Sequence, residues 1–473
     1  MAAHAQSRFG GPTDFVDPSG LPCGGASRAR ELGIQVPRGM QDYPRPKVGV
    51  YVSNAKELIA ALNVTTPQTI VLASGVFDRP VNHPAPSYPY TGTPPTPTFV
   101  TARAGHTVVA EQVGLTRLKF GISVPGIASG FTLRGVVFDI DHELDGVPDS
   151  QNWFEPRTWF TSAVLIWGGA SNVTIEDVRV LGNQRLHQGI RALSVEGLQL
   201  HRVAVYGVRR FGLLIGNGSG TAVPVVTRPV IEDVVVDGVS DPAYEDYIAP
   251  LGSWYFGQQL HGIMLATPCD LRRVRVRRVA HSAIALGNTV VPMEGALLED
   301  IDVDAVNLSN YTLGTGVYFE RQQLSPRLRR FCVGPDVDRG VHIEWGHAAT
   351  SSATAEQHCN NPLLVPVPSD DVQIDDGLVL ASRHGVYVGG WTRGTRIRSV
   401  HFENAWWAAV GAHDNMKTGG TNTATDNLTF GPMNGCHYTL DNGNVVPPQC
   451  IPGLPTPSEI PIPYPCSPTW AAP

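Results

Sequence analysis

One short unit recurs along most of this chain: a small residue, a run in which alternate positions are apolar, and a turn. Two neighbouring copies, Gly316-Val-Tyr-Phe-Glu320-Arg321 and Gly340-Val-His-Ile-Glu344-Trp345, also carry a carboxylate at the same place. Alternation along a strand puts Val317, Phe319, Val341 and Ile343 on one face, and leaves Tyr318, Glu320, His342 and Glu344 on the other. The same half-unit is seen in Gly189-Ile190, Gly212-Leu213, Gly262-Ile263, Ala283-Ile284, Gly385-Val386 and Ala408-Ala409. A second half-unit, such as Val173-Thr-Ile-Glu-Asp-Val-Arg-Val180, Leu298-Glu-Asp-Ile-Asp-Val303 or Ile397-Arg-Ser-Val-His-Phe402, alternates with it. A unit of about 22 to 45 residues cannot bury its own apolar positions, so the units must stack to form a core.

Other repeat architectures fit less well. A leucine-rich horseshoe needs a regular Leu and Asn spacing that is absent, and no amphipathic helix recurs between the strands. A propeller needs four antiparallel strands per blade joined by hairpins. The pattern predicts an all-β fold, a single-stranded right-handed parallel β-helix.

Composition agrees with many short strands and turns. Of 473 residues, 50 are Gly and 39 are Pro, and only 16% are charged. The net charge of -7 gives no basic footprint for nucleic acid, and no apolar run reaches the length of a membrane span. Only four lysines occur, Lys47, Lys56, Lys119 and Lys417, which leaves few candidates for lysine chemistry. The start, Met1-Ala-Ala-His-Ala-Gln, has neither a charged nor an apolar signal region and is what a removed signal peptide would leave. Cys332 with Cys359, and Cys436 with Cys450, are spaced to close loops, which favours an oxidising compartment, secreted or periplasmic.

Three regions are expected. Residues 1–47 form an irregular leader on the surface, 48–415 the β-helix, and 416–473 a loop-like, proline-rich tail. Near the start of the β-helix, Val48-Gly-Val-Tyr-Val52 is followed by a cap at Ser53-Asn54, the amphipathic Ala55-Lys-Glu-Leu-Ile-Ala-Ala-Leu62, and the strand Thr69-Ile-Val-Leu72. This strand, capped helix and strand resemble the entrance of right-handed parallel β-helix proteins of the pectin-lyase-like superfamily, in which a helix plugs the open end of the coil. The resemblance implies polysaccharide chemistry, by hydrolysis or by β-elimination. It rests on architecture: neither the Asn-Thr-Asp, Asp-Asp and Gly-His-Gly set of polygalacturonase-type hydrolases nor the Asn-Gly-x-Glu signature of alginate and dermatan lyases occurs, so no catalytic residue is assigned by motif.

Aligning the half-units predicts outward columns. The position before the small residue reads Gln188, Phe211, His261, Ser282, Thr315, Arg339, His384, Trp407. Two residues after it come Arg191, Leu214, Met264, Ala285, Tyr318, His342, Tyr387, Val410, and two further on Glu320 and Glu344 share a column with small residues. Polar and aromatic side chains gather in the middle coils. Glu320 and Glu344 are the candidate catalytic pair; strands about 4.8 Å apart would place them near the roughly 5 to 5.5 Å separation of retaining glycosidases, and side-chain torsions can open this to the roughly 6.5 to 9.5 Å of inverting ones. His261, Tyr318, Arg321, Arg339, His342, His384 and Tyr387 are candidate substrate-binding residues, joined by Trp254 and Tyr255 from an aromatic insertion suited to sugar faces.

The expected activity is cleavage of glycosidic bonds in a polysaccharide or oligosaccharide by a Glu-pair hydrolase acting without a cofactor. The first alternative is a β-eliminating lyase on a uronate polymer, the one reading in which a calcium ion would serve. The second is a non-catalytic carbohydrate-binding or adhesion β-helix. No nucleic acid or membrane partner is expected, and the chain is expected as a monomer or homo-oligomer.

Overall fold

Each recurring unit forms one coil of a parallel stack. The computed structural model describes residues 21–78, 99–140, 162–216, 228–240, 260–287, 293–306, 314–320, 323–335, 337–343, 369–380, 382–389, 392–413, 423–441 and 450. Within them the strands order into a 17-stranded sheet, a 12-stranded sheet and a 4-stranded sheet, and every pairing between named strands is parallel to a strand of a neighbouring coil. The architecture is the expected right-handed parallel β-helix, with very little helix.

Like side chains stack on like inside the coil. In the long sheet Ile175, Leu200, Ile231, Leu271 and Leu298 are in register, and in the 12-stranded sheet Ile190, Leu213, Ile263, Ile284, Val317, Val341 and Val386 are. All are fully buried in one continuous core. At the first end, Ala55–Leu62 is helical, with the Asn54 side chain accepting from the Glu57 amide, and its Leu58 and Leu62 join that core. The predicted helix and its cap are both present.

The glycine that opens each half-unit has a specific cause. The register passes from Thr315 paired with Arg339 directly to Val317 paired with Val341, so Gly316 and Val317 both turn inward where the coil bends. A Cβ on Gly316 would stand 2.4 Å from Val333 Cγ1 and 2.5 Å from the Gly340 carbonyl oxygen. Gly212 faces Val236 and Gly262 faces Val276 in the same way. At this corner the backbone lies against the next core valine, which leaves no room for a side chain.

The other corner divides the long strands. Asp177, Arg202, Asp233, Arg273, Asp300 and Arg330 all have positive φ, between 47° and 59°. Aspartate tolerates this left-handed conformation better than arginine does. Each arginine, however, reaches back to the aspartate of the preceding coil: Arg273 Nε and Nη2 donate to Asp233 at 2.7 and 3.1 Å, and Arg330 to Asp300 at 2.8 and 2.9 Å. These two-point, charge-assisted bonds offset the backbone cost.

Three expectations need correction. Strand pairing runs past residue 415, where the sequence predicts only a tail: Thr423–Asp426 pairs with the strand at Thr395–Glu403, and Cys436–Asp441 with Ala408–His413. Cys332 is bonded to Cys23, not to Cys359, which lies outside the described residues, whereas the expected Cys436–Cys450 bond is present. In the last coils His384 pairs with Ala408 and Tyr387 with Gly411, so Trp407 and Val410 stand one residue out of the predicted columns. The interior supplied no signal for that slip, because small apolar residues occupy Ala408, Ala409 and Val410 in succession.

Candidate functional site

The columns predicted for the middle coils are present on the outer face of the 12-stranded sheet. His261, Ser282, Thr315, Arg339 and His384 succeed one another in register, and beside them run Met264, Ala285, Tyr318, His342 and Tyr387. Alternation with the buried Val317, Phe319, Val341 and Ile343 is what turns these side chains outward.

Arg339 is the centre of the cluster. Its guanidinium carbon lies 4.4 Å from the centre of the Tyr387 ring, and its Nη1 stands 3.2 and 3.1 Å from the two ring nitrogens of His342. His342 stacks on Tyr318 at 5.0 Å and meets Tyr387 edge-on at 5.4 Å. His384 lies 5.0 Å from Tyr387. Arg339, His342 and Tyr318 keep part of their surface open, whereas His261, His384 and Tyr387 are buried and form the backing of the site.

His342, His281 and His261 are held neutral. Burial, then the Arg339 charge with the neighbouring His384 and His281, pushes His342 well below the usual imidazole range. Burial, with Arg339 adding to it, pushes His281 down to about 4. Burial and the neighbouring His281 also lower His261. His281 accepts or donates through Nδ1 to the Ser282 hydroxyl at 2.9 Å, and its ring meets His261 at 5.3 Å. The arrangement therefore presents the Arg339 cation beside neutral imidazoles.

Glu320 stands one column over, partly buried. Its amide donates to the Leu286 carbonyl at 2.8 Å, and its side chain lies back over Gly287 of the preceding coil. A Cβ on Gly287 would meet Glu320 Cβ at 2.3 Å and Oε2 at 2.8 Å. Glu344, Arg321, Trp254 and Tyr255 lie outside the described residues.

The outward columns do not include a second carboxylate that the fold brings to the cluster. Asp338, immediately before Arg339, is buried, with Oδ2 3.8 Å from Arg339 Nε and Oδ1 3.9 Å from Arg383 Nη1. Burial raises its pKa, while Arg339, Arg383 and His384 act against the rise. Arg383 lies 4.5 Å from the Trp407 ring and 6.0 Å from that of the half-exposed Trp406. Asp338 and Arg383 lie at the second position of the strands Val337–Ile343 and Ser382–Val388, just before the glycine corners at Gly340 and Gly385, where simple alternation no longer tells which way a side chain points. Their signal in the sequence is only that each directly precedes a polar outward residue, Arg339 and His384. Among the described residues no group of three or more His, Cys, Asp or Glu side chains is placed to hold a metal ion.

No model of a known protein family matches the chain, and no curated protein matches its sequence. Solved structures share its fold at low identity. The catalytic domain of a GH87 α-1,3-glucanase in complex with nigerose is 12% identical, with 86% of this chain and 70% of that one covered and a TM-score of 0.44. The Streptococcus pneumoniae surface protein and adhesin PfbA is 8% identical over 87% of this chain and 98% of that one, at a TM-score of 0.47. A PL6 alginate lyase in complex with a trisaccharide is 11% identical over 83% and 86%, at 0.41. These matches comprise a glycoside hydrolase, an adhesin and a polysaccharide lyase.

Proposed function

We propose that this chain is a secreted or periplasmic enzyme that cleaves glycosidic bonds in a uronate-containing polysaccharide by β-elimination, at the face formed by Arg339, His342 and Tyr318. The observation that carries this reading is the Arg339 guanidinium set against the neutral ring of His342, with the Tyr318 phenol stacked on that ring. β-Elimination needs three things at one point: a cation on the uronate carboxylate, a base for the C5 proton, and an acid for the leaving oxygen. Arg339 supplies the first. His342 takes the C5 proton, the C5 electrons form the C4–C5 double bond, and O4 departs with a proton from Tyr318.

The electrostatics link binding to reactivity. In the free site burial, and after it the Arg339 charge, hold down the basicity of His342. A bound carboxylate offsets the Arg339 charge and so removes that part of the depression when substrate is in place. The disulfides suit an oxidising compartment.

A second reading, hydrolysis by Glu320 with Glu344, is favoured by one observation: the partly buried Glu320 side chain is laid over Gly287 of the preceding coil, beside the Arg339 cluster. The test that separates the two is incubation with polygalacturonate, alginate and neutral glucans, recording new reducing ends and the absorbance of unsaturated products together. Unsaturated products from a uronate polymer support elimination. Reducing ends without that absorbance support hydrolysis, and neither signal on any polymer supports the binding or adhesion alternative.

A further inference from the structure

Outside that face, the alternating corner of Asp177, Arg202, Asp233, Arg273, Asp300 and Arg330 holds a segment of the leader in a regular way. The Gln41 amide donates to Asp177 Oδ1 at 2.9 Å, the Arg38 amide to Asp233 Oδ1 at 3.0 Å, and the Gln35 amide to Asp300 Oδ1 at 3.2 Å. Every third residue of the leader thus meets an acid in every second coil, and the coils between carry the arginines. Arg38 adds its own side chain, with Nε and Nη2 donating to Asp233 Oδ2 at 2.9 and 2.6 Å.

The period of three has a geometric meaning. In a β-strand, amides three apart point to opposite sides, so one ladder could not take residues 35, 38 and 41. In a polyproline-II chain, with three residues per turn and about 3.1 Å per residue, every third amide points the same way and three residues advance about 9.3 Å. Two coils of a parallel stack advance about 9.6 Å, from strands spaced about 4.8 Å. The two repeats match, and Pro37 in the segment suits that conformation.

We propose that the Asp/Arg corner is a binding site for a peptide of polyproline-II pitch, and that leader residues 35–41 are its ligand in cis, recognised by register and charge. The acids accept the amide of every third residue, and the arginines fix the acids in place from the next coil. Two features mark where the docked segment ends. Toward residue 43, the corner position is Gly135, where a Cβ would strike the Tyr43 hydroxyl at 2.2 Å, and the Arg134 guanidinium covers the Tyr43 ring at 4.2 Å. Toward residue 34, the leader turns into the helix Ser27–Glu31 and the Cys23–Cys332 bond. A solenoid is otherwise tied together only between neighbouring coils, so a peptide spanning this ladder also couples coils that do not touch.

The test separates register from covalent attachment. A protease site is inserted between Lys47 and Val48 in the full chain carrying Cys23→Ser and Cys332→Ser, and the cut protein is passed through gel filtration at neutral pH. The leader fragment is expected to stay with the coil, and to be lost when one alanine is also inserted between Gly39 and Met40, which breaks the period of three without touching the coil. Release of the fragment without that insertion, or equal retention with it, overturns the proposal. Hydrogen exchange on the uncut natural chain gives an independent reading should the cysteine variants fail to fold. The amides of Gln35, Arg38 and Gln41 should exchange at least about tenfold more slowly than those of Val36, Met40 and Asp42. Uniform exchange along the segment overturns the proposal.

Discussion

Arg339 Nη1 stands 3.1 Å from Nε2 and 3.2 Å from Nδ1 of His342, while the same guanidinium covers the Tyr387 ring at 4.4 Å. One cation is therefore shared between a partly buried imidazole and a buried phenol ring, which fixes its direction toward the outer face. Arg339→Lys keeps the charge and loses the planar contact, so it is not a mild change. On the elimination reading, Arg339→Gln should lower turnover of a uronate polymer by roughly 10² to 10⁴ and leave any activity on neutral glucans unchanged. Parallel rate measurements on both polymers check this, and equal loss on both would remove the assignment.

His342 should set the acid limb of the pH profile. Burial and Arg339 hold its pKa well below the usual value, so it is already a free base at neutral pH and the rate should fall only below about pH 6.5, the value for an unperturbed imidazole. Removing the Arg339 charge should move that limb upward. The measurement is kcat/KM against pH for the natural chain and for Arg339→Gln, and a limb that does not move would show that another group is titrating.

Gly287 distinguishes the two chemistries. A methyl group there would collide with Glu320 Cβ at 2.3 Å and must displace that side chain. Gly287→Ala should lower a Glu320-dependent hydrolysis at least tenfold, yet change elimination at Arg339 and His342 little. Product analysis of this one variant decides which carboxyl or imidazole set is in use.

The neutral histidines should make the fold sensitive to acid. The folded pKa of His281 is about 4, below its unfolded value near 6.5, so the unfolded chain binds the proton first as pH falls. Stability is unaffected above about pH 6.5, declines between there and pH 4, and by then has lost about 3 kcal/mol on account of His281 alone. His261 and His342 act in the same direction. Denaturant midpoints at pH 7 and pH 5 measure it, and His281→Gln should reduce the difference.

The corner glycine Gly316 and Gly377, which pairs in register with the core Phe331 and Val400, should be intolerant of a side chain. Gly316→Ala would place a methyl 2.4 Å from Val333 Cγ1, and Gly377→Ala one 2.1 Å from the Phe331 ring. Each should cost about 1 to 3 kcal/mol by overpacking, read as a lower denaturant midpoint with an unchanged slope. A change within about 0.5 kcal/mol would mean that the corner relaxes.

By itself the sequence determined the local period and its direct consequences. Alternation around Val317 and Phe319, repeated at Val341 and Ile343, specified both the stacked coil and the outward register of Tyr318 over His342 and Thr315 over Arg339. The reason is that side-chain direction in a strand depends only on position within it. Tertiary structure decided what that period does not reach. The corners break alternation, so Asp338 beside Arg339 was invisible, and the burial of His384 and Tyr387 depends on neighbours from other coils. Cys23 meets Cys332 across 309 residues because the leader runs along the stack, a path that spacing does not encode. The alternation of Glu176-Asp177, Arg202, Glu232-Asp233, Arg272-Arg273 and Glu299-Asp300 was present in the sequence throughout. It acquired meaning only when stacking brought successive coils to one line, because opposite charges interact through distance in space and not along the chain.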